Sequence, residues 1–206
     1  MTDLLLASNN KGKLRQLRSL LPADVIVASM ADFGLPEPVE DGATFGENAA
    51  IKAIAGARAT GLLTLADDSG LLVEALNGEP GVRSARYAGD SATDAENISL
   101  LLARMEQVPP DQRQAKFACV LALAQPTGVL ASETGVCTGT IGFDSRGTHG
   151  FGYDPVFVLP DGRTMAEISP EEKNLTSHRG LALKAMLPAI LIAIGTYRFA
   201  GERNGQ

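Results

Sequence analysis

The sequence predicts an α/β protein built on a mixed, twisted central sheet, and three observations carry that expectation. In the first half, short continuous apolar runs alternate with segments whose leucines or alanines recur at helical spacing, the pattern of strands joined by crossover helices. In the second half, a longer run alternates apolar and polar residues through Ala115–Leu121, and Gly128 can turn it back into Val129–Gly139, which adds a hairpin. No linker, internal repeat or low-complexity tract interrupts the 206 residues, so 1–206 is expected to be a single domain, with a mobile tail after about residue 196.

The elements follow in order. Leu4-Leu5-Leu6-Ala7 reads as a buried strand that ends in Ser8-Asn9-Asn10. From Lys11 a helix is expected, because Leu14, Leu17 and Leu21 share one face. Val25–Ala28 is a second strand, and residues 31–43, rich in proline, glycine and acid, form a loop. Thr44 with Glu47 three residues on is a capping-box signal for an alanine-rich helix to about Thr60, which Gly61 ends. Leu62–Ala66 reads as a strand running up to Asp67-Asp68-Ser69-Gly70. Residues 76–90 form an ordered loop, and Thr93 or Asp94 caps a helix through Met105. After the hairpin come a short strand, Val156–Leu159, and a turn at Asp161-Gly162. A last helix is expected from about His178 to Ile194.

Composition limits the functions available. A net charge of -6 excludes broad binding to a nucleic-acid polymer, which needs a dominant positive surface, although a few converging cations still suffice for one nucleotide. Cys119 and Cys137 are the only cysteines, both in strand-like stretches, and read as reduced core residues. No clustered Cys/His spacing suggests zinc. The chain opens without a signal-like segment, and its most apolar tract, Met186–Ile194, is too short to span a bilayer and contains Pro188. A cytoplasmic protein with no membrane partner is expected.

Four segments can carry chemistry. Gly150-Phe151-Gly152-Tyr153-Asp154-Pro155 sets two aromatics between glycines. It offers either a platform for a planar base, with Asp154 held extended by the following proline, or a glycine-rich turn whose aromatics point into the core. Ser8-Asn9-Asn10-Lys11-Gly12-Lys13 lies where a strand meets a helix N-terminus. There, unpaired N–H groups and the helix dipole favour a phosphate, the alternative being a capped helix with solvated lysines. Asp67 and Asp68, pointing to opposite faces, are expected to do different work: one can hold a divalent cation or deprotonate a water, unless the segment is simply a turn. Glu40 is a second candidate ligand, and Lys52 either reaches phosphates or is solvated. His178 and Arg179 stand at the expected start of the last helix, where a cation opposes the dipole, so a ligand with acceptors is the better reason for them. Lys173 and Ser177 belong to the same group, and His149 reads as a loop surface residue.

Taken in order, these blocks resemble the inosine/xanthosine triphosphate pyrophosphatase family. The match is carried by Ser8–Lys13, Thr44-Phe45-x-Glu47-Asn48-Ala49, Ala66-Asp67-Asp68-Ser69-Gly70-Leu71, Pro80-Gly81-x-x-Ser84-Ala85-Arg86-Tyr87, Gly150–Pro155 and Ser177-His178-Arg179-Gly180. His149 and the tail from Pro188 to Gln206 depart from the pattern. The resemblance implies an elongated, two-lobed α/β fold with a nucleotide cleft between the lobes, a homodimer, and a Mg²⁺-dependent reaction. That reaction splits noncanonical purine nucleoside triphosphates (ITP, dITP, XTP) into the monophosphate and pyrophosphate. By position it implies that Ser8, Asn9, Asn10, Lys11, Gly12, Lys13 and Lys52 cradle the triphosphate. Asp68 would be metal ligand and proton acceptor, helped by Glu40 and Ser69. Phe151, Gly152, Tyr153, Asp154 and Lys173 would line the nucleoside site, and His178 and Arg179 would read the base. A pyrophosphatase with a different base preference, or a nucleotide-binding protein without catalysis, would use many of the same residues.

Overall fold

A computed structural model describes residues 2–36 and 38–203, the side chains of Gln16 and of residues 197–203 excepted. Six strands form one sheet in the order β2-β1-β3-β4-β5-β6. They are β1 (Leu4–Leu6), β2 (Val27–Ser29), β3 (Thr64–Val73), β4 (Gln114–Gln125), β5 (Gly128–Ile141) and β6 (Phe157–Val158). β1 runs parallel to both β2, with Leu4 opposite Val27, and β3, with Leu5 opposite Thr64, whereas β5 and β6 are antiparallel. The sheet is therefore mixed, as expected. Leu4, Leu5 and Leu6 are all buried, which explains the unbroken apolar run: an inner parallel strand is covered on both faces.

Among the described residues the α-helices are α1 (Lys11–Leu20), α2 (Phe45–Thr60), α3 (Asp94–Arg104), α4 (Pro170–Thr176) and α5 (His178–Arg203). The chain divides into two compact units, one of Met1–Asp68, Val120–Gly135 and Ala182–Gln206, the other of Ser69–Cys119 and Val136–Leu181. In the first, the cluster between α2 and the sheet is rich in alanine. Ala49, Ala53 and Ala57, one helical turn apart on α2, are fully buried with Ala66 of β3 and Ala122 and Ala124 of β4. Alanine at that spacing lets helix and sheet approach closely. In the second, Leu71, Leu101, Met105, Phe117, Tyr153 and Phe157 pack together. Both cysteines are buried free thiols, and burial pushes the Cys137 thiol up.

Several boundaries differ from expectation. The strand expected to end at Ala66 continues as β3 to Val73, so the acidic pair lies inside it and the alternative reading of the segment as a turn fails. The capping signal at α2 is half realised: Thr44 accepts from the Glu47 N–H, but the Glu47 carboxylate reaches the N–H of Ala43. At α3 Thr93 is the cap, in a reciprocal pair with Glu96. α4 was not foreseen; its start is a Ser169 cap followed by Pro170, a residue suited to a first helical position. α5 runs past Ile194 to Arg203, with Pro188 inside it; the tail thus begins as helix, and residues 204–206 lie outside the described residues. The apolar stretch is accordingly longer than Met186–Ile194. Within α5, His178–Thr196 is long and apolar enough to cross a membrane by length and composition, while Ala182, Leu183, Met186, Ile190 and Ile194 are buried in the protein itself.

Candidate active site

In the first unit, β1, α1, α2 and β3 gather the acids and lysines. Lys13, in the first turn of α1, pairs with Asp67 at 2.8 Å. Asn48 and Lys52 are four residues apart on α2 and so share a face; both turn to Asp68. Asn48 donates to one carboxylate oxygen at 3.0 Å, and the Lys52 ammonium is 3.7 Å from the other. Lys52 also donates to Glu40 at 2.7 Å. The two adjacent aspartates thus face different lysines, as their alternation on a strand requires. Lys52 is buried, so the solvated reading fails. Burial disfavours its charge, but the attraction of Asp68 and the hydrogen bond to Glu40 outweigh this and hold its pKa above the ordinary lysine value.

The phosphate-loop expectation needs one correction. The N–H groups of Gly12 and Lys13 are not unpaired: the Asn10 side chain accepts both, at 2.8 and 3.1 Å, and Ser8 Oγ accepts the Asn10 N–H at 3.1 Å. Asn10 is a strong N-cap residue and satisfies the helix end locally. At this end of α1 the Lys11 side chain is exposed, and the half-buried Lys13 is the one paired with Asp67.

In the second unit a recess of about 130 Å³ is lined by Ser69, Phe117, Phe151, Asp154, His178 and Arg179, among others. A single water needs only ~10–15 Å³ measured this way, so the recess has room for a ring system. The His178 imidazole lies nearly parallel to the Phe117 ring, with centroids 4.8 Å apart and planes 20° apart. Arg179 donates from Nη2 to Ser69 Oγ at 2.9 Å. Both residues are buried at the first turn of α5, as the sequence places them. Gly180 is what lets that turn pack: a Cβ there would stand 2.0 Å from the Asn174 carbonyl oxygen.

The two aromatics of the glycine-aromatic segment part company. Phe151 is half exposed beside the recess, with Lys173 Nζ 5.0 Å and Arg179 Cζ 5.7 Å from its ring centre. Tyr153 is in the core, and its hydroxyl donates to the Ser84 carbonyl at 2.8 Å; burial pushes its pKa upward. Asp154 is not extended. It opens a 3₁₀ turn with Pro155 in the second place, where the ring's fixed φ fits, and its carboxylate accepts the Phe151 N–H at 2.8 Å and the Lys173 ammonium. At Gly150, with φ of 84°, a Cβ would sit 2.0 Å from that carboxylate, so only glycine allows the loop to close over it. His149 is exposed, as expected.

Sequence reading overlooked Asn48, Ser84, Asp94 and Phe117. Asn48 was legible as the helical neighbour of Lys52. Phe117 was read only as an apolar position in an alternating strand, and nothing local marks it as the shelf under His178.

The chain matches the model of the Ham1 family over residues 4–189. It is 50% identical over 184 residues to a dITP/XTP pyrophosphatase of Desulforamulus reducens, covering 88% of this chain and 92% of that one. It is 50% identical over 199 residues to the protein of the same name from Corynebacterium efficiens, covering 91% and 96%. Among solved structures, a HAM1 protein from Coxiella burnetii superposes with a TM-score of 0.86 at 44% identity, covering 93% of this chain and 99% of that one. The nucleoside-triphosphatase / dITP/XTP pyrophosphatase of Mycobacterium abscessus gives 0.76 at 46% identity, covering 91% and 100%.

Proposed function

The chain belongs to the Ham1 family, and on that premise we propose that it hydrolyses the noncanonical purine nucleoside triphosphates dITP, ITP and XTP to the monophosphate and pyrophosphate. One observation supports the base preference above the others: His178 and Arg179, both hydrogen-bond donors, are buried in a recess beside the half-exposed Phe151. Hypoxanthine and xanthine present a 6-keto acceptor to such donors. Adenine presents a 6-amino donor, which would leave buried groups unpaired.

The acid–lysine group of the first unit suits the triphosphate. Lys13 and Lys52 set positive charge against phosphate oxygens, and Asp68 takes the proton of the attacking water. The water oxygen bonds to the α-phosphorus, the α–β anhydride bond breaks, and pyrophosphate leaves. Asn48 and Lys52 fix the direction of the Asp68 carboxylate for that transfer.

The resemblance implies Mg²⁺. Among the described residues, no group of three or more His, Cys, Asp or Glu side chains is arranged to hold an ion alone. Glu40 and Asp68 do meet at the Lys52 ammonium, and Mg²⁺ is commonly bound by one or two carboxylates with substrate phosphates and waters completing its shell. This donor set fits an ion that arrives with the nucleotide, and Asp68 and Glu40 would hold it. Bound there, Mg²⁺ would supply positive charge to the leaving pyrophosphate and acidify a bound water. A homodimer rests on the family resemblance alone, and a cytoplasmic location stays the expectation read from the sequence.

The test is a screen of nucleoside triphosphates for released pyrophosphate, with Mg²⁺ and with excess EDTA. Release from ITP, dITP and XTP well above that from ATP, and lost in EDTA, is the expected result. Equal rates on all four, or full activity in EDTA, would overturn the base preference or the metal requirement respectively.

A further inference from the structure

The base-side loop is tied to a helix far away in sequence. The Gly152 N–H donates to Asp94 Oδ2 at 2.7 Å, across 58 residues. The neighbouring amide, Phe151 N–H, is held from the other side by Asp154 at 2.8 Å. Two successive peptide groups carrying the exposed ring are therefore each held by a carboxylate. Asp154 belongs to the loop itself, so it travels with the loop. Asp94 does not.

Asp94 is delivered by a rigid element. It is the first residue of α3, directly after the N-cap Thr93 and inside the Thr93–Glu96 capping box. One turn on, the buried Asn97 bridges the preceding segment: its side chain accepts the Ala88 N–H at 2.8 Å and donates to the Ala85 carbonyl at 3.1 Å. Leu101, a further turn along, is fully buried in the core with Tyr153. The Asp94 carboxylate is itself exposed and lines the recess. An exposed carboxylate adds little to stability through one surface hydrogen bond, which leaves geometry as its contribution.

We propose that Asp94 is a positioning residue: by holding the Gly152 amide it fixes the Phe151 ring beside the recess, so that the base is met by a preset surface. This rests on the purine nucleotide reading above. Ordering the loop before binding spares that cost at the moment of binding, so the effect falls on KM more than on kcat. Asn in place of Asp keeps an oxygen able to accept the amide, whereas Ala does not.

The experiment compares wild type, Asp94→Ala and Asp94→Asn in two measurements. Steady-state kinetics on ITP should show KM raised about three- to tenfold in Asp94→Ala with kcat within about twofold, and largely restored in Asp94→Asn, as one hydrogen bond is worth that much. Amide exchange at Gly152, followed by NMR without nucleotide, should quicken in Asp94→Ala and return toward wild type in Asp94→Asn. An unchanged KM in Asp94→Ala, an Asp94→Asn variant as impaired as the alanine, or unchanged Gly152 exchange would each overturn the assignment. Wild type that releases no pyrophosphate from any purine triphosphate would instead sink the activity reading. The exchange measurement, made without nucleotide, would still decide whether Asp94 holds the loop.

Discussion

Replacing Arg179 by alanine tests the base reading most directly. Arg179 is 6% exposed, its Nη2 donates to Ser69 Oγ at 2.9 Å, and its Cζ stands 5.7 Å from the Phe151 ring centre. If it also donates to a 6-keto oxygen, that hydrogen bond is charge-assisted and worth about 1.5–3 kcal/mol, or roughly 10- to 150-fold in kcat/KM. Adenine gains nothing from the donor, so activity on ATP should change by no more than about threefold, and the ITP-to-ATP ratio should fall by one to two decades. Loss of the Ser69 bond should cost the fold about 1 kcal/mol, a shift in Tm of ~2–4 °C for a chain of this size. The assay is kcat/KM for both nucleotides in wild type and variant, with circular dichroism melts as the folding control. An equal loss on ITP and ATP, with the fold intact, would refute base recognition and move Arg179 to the phosphates or to the scaffold.

Asp68→Asn should lower turnover about 10²–10⁴-fold while nucleotide binding measured by calorimetry survives, since the amide cannot accept the water's proton; turnover near wild type would remove Asp68 from that role. Lys52→Met should destabilise the fold by about 2–3 kcal/mol, near the lower end for a broken buried pair, because the Glu40 side chain keeps 30% exposure. The Lys52 pKa is raised on folding, so its contribution is fully present below the ordinary lysine value and is lost only as pH climbs through the folded one. The Tm gap between wild type and Lys52→Met should accordingly stay level from pH 7 to 9 and narrow above about pH 10.4; a gap that closes between pH 7 and 9 would contradict the pairing.

Periodicity and punctuation in the sequence determined the strand–helix alternation, the hairpin, the caps at Thr44 and Gly61, and the start of α5 at His178. These depend on neighbours within a turn or a strand, where backbone hydrogen bonds and side-chain spacing are local. The residue types of the candidate site were legible for the same reason: Asp67-Asp68, Ser8–Lys13 and Gly150–Asp154 are short segments. Their partners were not. That Asn48 and Lys52 share Asp68, that Tyr153 turns into the core while Phe151 stays out, and that Phe117 lies under His178 follow from packing between residues 16 to 69 positions apart. Even Asp154, whose proline predicts an extended residue, opens a 3₁₀ turn, in a loop where its carboxylate also takes the Phe151 amide and the Lys173 ammonium. Local propensities amount to a few tenths of a kcal/mol per residue. A buried charge left without its partner costs several times more, so tertiary pairing has the final say at the polar positions that matter for function.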